Sequence, residues 1–123
     1  MKIRSHKELK TYQLAFEVSM KIFELTKTFP KCEMFSLIDQ IRRSSRSVCA
    51  NLGEAFRKRK YPKHFVSKLS DAESEAAETQ VWLDYCRECK YINTENYEKL
   101  YKGYDRILGK LVIMSIHPEK WSY

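Results

Sequence analysis

Apolar residues recur at spacings of three and four along four stretches of this chain, a period that places each set on one face of an α-helix. The first stretch, residues 7–29, carries Ala15, Val18, Ile22, Leu25 and Phe29. Pro30 ends it, because the residue before a proline is pushed out of the helical region. The second, residues 33–60, turns Leu37, Ile41, Val48, Leu52 and Ala55 inward, and the charge of Glu33 suits its N-terminus. The third, residues 62–90, opens on Pro62, whose missing N–H costs nothing in a first turn. It repeats the seam with Phe65, Leu69, Ala72, Ala76, Thr79, Leu83 and Cys86, small in the middle so that a neighbour can come close. The fourth, residues 94–115, is capped by Asn93 or Thr94 and carries Tyr97, Tyr101, Tyr104, Leu108 and Leu111. Four helices joined by connections of a few residues pack most simply up-down-up-down, so an all-α, antiparallel four-helix bundle is expected.

A chain of 123 residues suits one domain, residues 1–123, and three glycines with three prolines are too few for a turn-rich sheet protein. Residues 1–7 carry three basic side chains and no apolar run. No stretch approaches the roughly 18 apolar residues of a membrane span, so a cytoplasmic protein without membrane contact is expected. Cys32, Cys49, Cys86 and Cys89 read as thiols of a reducing compartment, since nothing else resembles a small disulfide-stapled scaffold.

Catalytic and metal chemistry find little support. Cys86 and Cys89 form a CxxC, but at the C-terminal end of the third helix, where the dipole disfavours thiolate; as a zinc half-site it lacks a matching pair. His6, His64 and His117 are scattered outside any nucleophile, metal or phosphate motif. Glu73, Glu75 and Glu78 lack the Glu-x-x-His of a di-iron bundle and read as a solvated or ion-paired face. No enzymatic activity, cofactor or metal is expected.

Charge is the informative property. The segment from Arg42 to Lys68 holds nine basic residues against Glu54 alone, a local charge of +8 in a chain whose total is +7. Such a segment suits an anionic partner, nucleic acid first and acidic protein second. At about 100° per residue, Arg42, Arg46, Arg57 and Lys60 fall within roughly 60° of one another if the second helix is unbroken. Gly53 lies between them in angle, where a phosphate backbone would have room to approach. With Lys58, Arg59 and Lys63 of the following link they form the candidate nucleic-acid-binding set; a solvated face paired with the acids of the third helix is the alternative.

Two further stripes stand out. Gln40, Arg43, Ser47, Asn51 and Glu54 form a polar ladder beside the basic stripe, read as an interhelical or intersubunit hydrogen-bond network. Tyr12, Phe16, Met20 and Phe23 form a second apolar stripe on the first helix, displaced from its core seam by roughly 150°. It is read as a subunit interface, with an extended core edge as the alternative.

Residues 40–55, from Gln40-Ile41-Arg42-Arg43-Ser44-Ser45 to Asn51-Leu52-Gly53-Glu54-Ala55, together with Phe29-Pro30-Lys31-Cys32-Glu33, resemble the bacterial four-helix bundle family of 23S ribosomal RNA intervening-sequence proteins. Glu78-Thr79-Gln80-Val81-Trp82-Leu83 and Cys89-Lys90-Tyr91-Ile92 fit one branch of it, and the resemblance runs from about Leu9 to Trp121. Many relatives read Asn-Ile-Ala-Glu-Gly where this chain has Asn51-Leu52-Gly53-Glu54-Ala55, and Lys90 stands where a glycine is common. The resemblance implies a pentameric barrel of bundles, no known enzymatic activity and an association with RNA. A related group serves as accessory protein of diversity-generating retroelements, but no motif here assigns this chain to that role. The expectation is a homo-oligomeric RNA-associated module; the alternative is an oligomeric adaptor for an acidic protein surface, such as that of a nucleic-acid enzyme.

Overall fold

The structure, a computed structural model, describes residues 3–121. Its helices are α1 (Lys10–Thr26), α2 (Leu37–Arg57), α3 (Pro62–Glu88) and α4 (Thr94–Ile116), with short 3-10 turns at His6–Glu8, Lys31–Glu33 and Pro118–Lys120. Each helix packs on the next and α1 also packs on α4, so the four stand at the corners of a square and alternate in direction. This is the expected four-helix bundle.

The helices begin and end for local reasons, and several ends differ from the sequence reading. Before α1, the Ser5 hydroxyl accepts from the Lys7 N–H while the Glu8 carboxylate accepts from the N–H groups of Arg4 and Ser5; this capping box holds His6–Glu8 as a separate turn. Glu33 is not the first residue of α2 but its external cap, accepting from the Ser36 hydroxyl and the Leu37 N–H. Its carboxylate also accepts from the Tyr91 hydroxyl at 2.8 Å, tying the turn before α2 to the end of α3. The Ser36 and Tyr91 bonds hold the Glu33 carboxyl below its usual range, and the bond to Glu33 pushes Tyr91 up to about 12. At its far end α2 stops at Arg57, not Lys60, and the Tyr61 N–H closes a tight turn onto the Lys58 carbonyl at 2.9 Å.

The seams expected on α2 and α3 are buried throughout, as are Ala15, Val18, Ile22 and Phe29 around α1. Helix α4 is rotated from its expected seam: Tyr97, Tyr101 and Leu108 are half-buried, while Leu100, Gly103, Tyr104, Ile107, Leu111 and Met114 form the buried line. That line is itself spaced by threes and fours and buries more apolar surface than the tyrosine line beside it. Tyr97 is left at the bundle edge, where its hydroxyl donates to the Asp84 carboxylate at 2.6 Å. Gly103 enters the core because α4 comes close to α1 there; a Cβ would lie 3.1 Å from a Val18 methyl. Between α2 and α3 the buried hydroxyls of Ser44 and Thr79 share a hydrogen bond of 2.8 Å beside the side-chain-poor Ala72 and Ala76. Ser45 and Thr79 also border the Tyr104 hydroxyl, yet neither closes a hydrogen bond on it, and burial pushes that phenol up.

Helix α3 ends in a Schellman motif. The Tyr91 N–H donates to the Cys86 carbonyl and the Lys90 N–H to that of Arg87, both at 2.9 Å, with Lys90 in the left-handed region at φ 62°. A side chain there is strained by about 1–2 kcal/mol, against which glycine adds roughly 0.5–1 kcal/mol of unfolded-state entropy. Lys90→Gly should therefore raise stability by about 0.5–1 kcal/mol in urea denaturation. A variant no more stable than the parent would show that Lys90 carries no strain.

Candidate nucleic-acid interface

The basic stripe starts where α2 passes α1. The Arg42 Nε donates to the Thr26 hydroxyl at 2.9 Å, and its guanidinium lies 4.7 Å from the centre of the Phe23 ring. Arg46, one turn on, lies 5.6 Å from the same ring and Lys27 4.8 Å from it. Phe23 is therefore held by three cations of its own chain, each pairing worth about 0.5–1 kcal/mol at exposed sites. Half-buried Arg42 serves as an anchor, whereas Arg46 and Arg57 are exposed along the outer face of α2.

Two expectations for this face are corrected. Because α2 ends at Arg57, Lys60 leaves the helical stripe and belongs to the link. Gly53 is not an open approach for a phosphate backbone: the His6 ring lies over it, 3.9 Å from where a Cβ would stand. His6 in turn meets Tyr12 edge-on at 4.8 Å, so the residues before α1 cover this part of α2.

The link divides its cations. Arg59 turns inward and is buried; its guanidinium stacks 3.7 Å from the Phe56 ring, Nε donates to the Phe56 carbonyl, and a terminal nitrogen reaches the Ile3 carbonyl at 3.4 Å. The planar guanidinium both covers buried Phe56 and satisfies carbonyls at the chain reversal, so Arg59 leaves the candidate set. Lys68 pairs with Glu54 at 3.1 Å and with Asp71 at 3.8 Å. Arg57, Lys58, Lys60 and Lys63 remain, none of them in an ion pair within the described residues, and no acid stands between Glu54 and Asp71. In their midst the structure adds a residue that charge counting passed over. Tyr61 is 53% exposed, with the Lys60 ammonium 5.2 Å above its ring and His64 5.9 Å away at 61°. The signal was an aromatic residue set among lysines.

The polar ladder does not knit helices together within the chain as a whole. Asn51 donates to the Ser47 carbonyl of its own helix, and Glu54 crosses to Lys68 of α3. Gln40 and Arg43 are exposed, and among the described residues their side chains form no hydrogen bond or ion pair. The buried bridge between α2 and α3 is Ser44 with Thr79, one position away from the ladder. The aromatic stripe of α1 also divides: Tyr12 and Phe23 are half-buried, while Phe16, 49% exposed and stacked on Tyr12, and Met20, 43% exposed, face outward. A second uncovered apolar cluster, absent from the sequence reading, joins Phe35, 94% exposed, to Tyr85 and Trp82 where α2 begins beside α3.

The remaining chemistry is plain. All four cysteines are free thiols; burial pushes Cys49 to about 11 and Cys86 to about 12, values at which neither is a thiolate. Among the described residues no group of three or more His, Cys, Asp and Glu is placed to hold a metal ion, and no helix is long and apolar enough to cross a membrane.

A family model described as 23S rRNA-intervening sequence protein matches residues 7–112. Among solved structures, the chain is similar to a protein of unknown function from the S23 ribosomal protein family of Bacteroides thetaiotaomicron. The two are 29% identical with a TM-score of 0.77, over 85% of this chain and 97% of that one. No curated protein matches.

The cover over Gly53 has a measurable consequence. Alanine is about 1 kcal/mol better than glycine inside a helix, and a Cβ 3.9 Å from the His6 ring makes only ordinary contact. Gly53→Ala should raise stability by about 1 kcal/mol in urea unfolding; a loss would mean that the residues before α1 lie closer to α2 than this.

Proposed function

The chain belongs to the family of 23S rRNA-intervening sequence proteins, and from that premise we propose that it is a non-enzymatic, homo-oligomeric binding module that associates with RNA. The contacts are made by Arg46 and Arg57 on the outer face of α2 and by Lys58, Lys60 and Lys63 of the link. The observation that carries the reading is the unneutralised charge of this strip. Arg59 is turned inward and Lys68 is paired, yet the other cations between Glu54 and Asp71 stand together without an acid. Five positive side chains along one edge fit a phosphate backbone, and the family's intervening-sequence label, which concerns gene location, adds no chemistry to this. Self-association covers Phe16 and Met20 and multiplies the strip, supplying avidity that one copy lacks. Five copies in a ring is the number that the resemblance implies.

Reversing two charges tests the RNA reading. Arg46→Glu with Arg57→Glu should weaken RNA binding across sequences alike. On single-stranded RNA the slope of log affinity against log salt should flatten by about 0.7 for each phosphate no longer neutralised. If the variant stays folded and binds RNA undiminished at physiological salt, the strip is a solvated face and an acidic protein becomes the better partner. Assembly is tested separately by light scattering. The parent should be an oligomer at micromolar concentration, and Phe16→Asp should dissociate it, because an unpaired carboxylate would be buried between subunits. A monomeric parent would sink the assembly proposal.

A further inference from the structure

We propose that Tyr61 is a base-stacking platform, so that the strip selects RNA with unpaired bases over duplex. This rests on the RNA reading above and adds the substrate class. Phosphates alone need only cations, and Arg57, Lys58, Lys60 and Lys63 supply those. A hydroxyl would serve a phosphate as well on a shorter side chain, whereas an aromatic ring adds a flat apolar face that phosphate does not use. That face does have a part with a base, which presents a π-face only when it is not stacked inside a helix.

The ring is unusually available and unusually well held. Tyr61 is about half exposed although Phe65, four residues on and one helical turn away, is buried in the core. Among the described residues the Tyr61 hydroxyl has no hydrogen bond, so no polar contact within the chain explains its position. The backbone is fixed on both sides: the Tyr61 N–H donates to the Lys58 carbonyl and its carbonyl accepts from the Phe65 N–H, both at 2.9 Å. Pro62 follows with its ring-locked φ as the first residue of α3. The backbone under the ring therefore needs no ordering when a ligand binds, which favours binding. Lys60 lies over the ring and His64 meets it obliquely, so a base stacking there arrives beside one cation and one further aromatic ring. Lys58 and Lys63 flank it in sequence, where the adjoining phosphates would pass.

The test uses the full chain, a short unstructured oligouridylate, and a blunt RNA duplex of the same length, with binding read by fluorescence anisotropy over a salt series. Tyr61→Ala should weaken single-strand binding by about tenfold. Its salt slope should stay that of the parent, because stacking releases no counterions. Tyr61→Trp should restore binding, and neither substitution should change affinity for the duplex. Lys60→Ala with Lys63→Ala should do the reverse, flattening the slope by about 0.7 for each phosphate no longer neutralised. Circular dichroism should show every variant as helical as the parent. If Tyr61→Ala binds the single strand as the parent does while the Arg46 and Arg57 reversal still weakens binding, the stacking role is wrong and the RNA reading survives. Equal losses on duplex and single strand, or a slope that changes with Tyr61, also overturn it. A parent that binds neither RNA overturns both.

Discussion

The close approach of α2 to α3 is the packing constraint on which the other features depend. Ala72 and Ala76 present nothing beyond a methyl on the buried face of α3, and α2 packs on α3 more extensively than on any other helix. Inside that seam the Ser44 and Thr79 hydroxyls join the two helices, and the buried side chains around them set how the helices sit along one another. Each hydroxyl also donates to a carbonyl of its own helix, Ser44 to Ile41 and Thr79 to Glu75, so sliding the helices would cost the shared bond and the fit of the apolar side chains around it. With the register fixed, the outer face of α2 and the short connection to α3 are fixed as well. The position of every cation from Arg42 to Lys63 follows from an uncharged seam behind it.

That frame sorts the basic residues by role. Arg42 and Arg59 point along or into the bundle, where guanidinium groups lie over Phe23 and Phe56 and donate to oxygens of the chain. These two use the flat, multiply donating shape of arginine, which lysine could not replace. Arg46, Arg57, Lys58, Lys60 and Lys63 contribute charge to the surface. A segment that reads as one block of positive charge is thus part structural clamp and part electrostatic surface.

Periodicity made the architecture legible because the core seams of α1, α2 and α3 each follow a regular spacing of threes and fours. It misplaced α4, where tyrosines at both the core and its edge blur the face: Tyr104 is buried and Tyr97 leans outward to Asp84. Helix ends were less legible, since they are decided by single side-chain hydrogen bonds. The Glu33 carboxylate acts from outside α2, and no spacing rule distinguishes that from a first-turn acid. The candidate interface was legible as a charge excess but not as a surface. Which arginine turns inward depends on the chain reversal after Arg57, and the cover over Gly53 depends on His6, far earlier in the chain. One position where relatives commonly carry glycine, occupied here by Lys90, sits in the left-handed turn that ends α3, a link that the sequence reading did not draw.

Phe35 stands almost wholly in water, next to Tyr85 and Trp82. Whatever covers that cluster binds the folded chain and not the unfolded one, so its concentration enters the folding equilibrium by mass action. If the cover is another copy, the thermal midpoint of the protein climbs with its own concentration. A dilute sample and a crowded cell would then hold the same sequence at different stabilities, with the abundance of the chain itself as the variable that sets them apart.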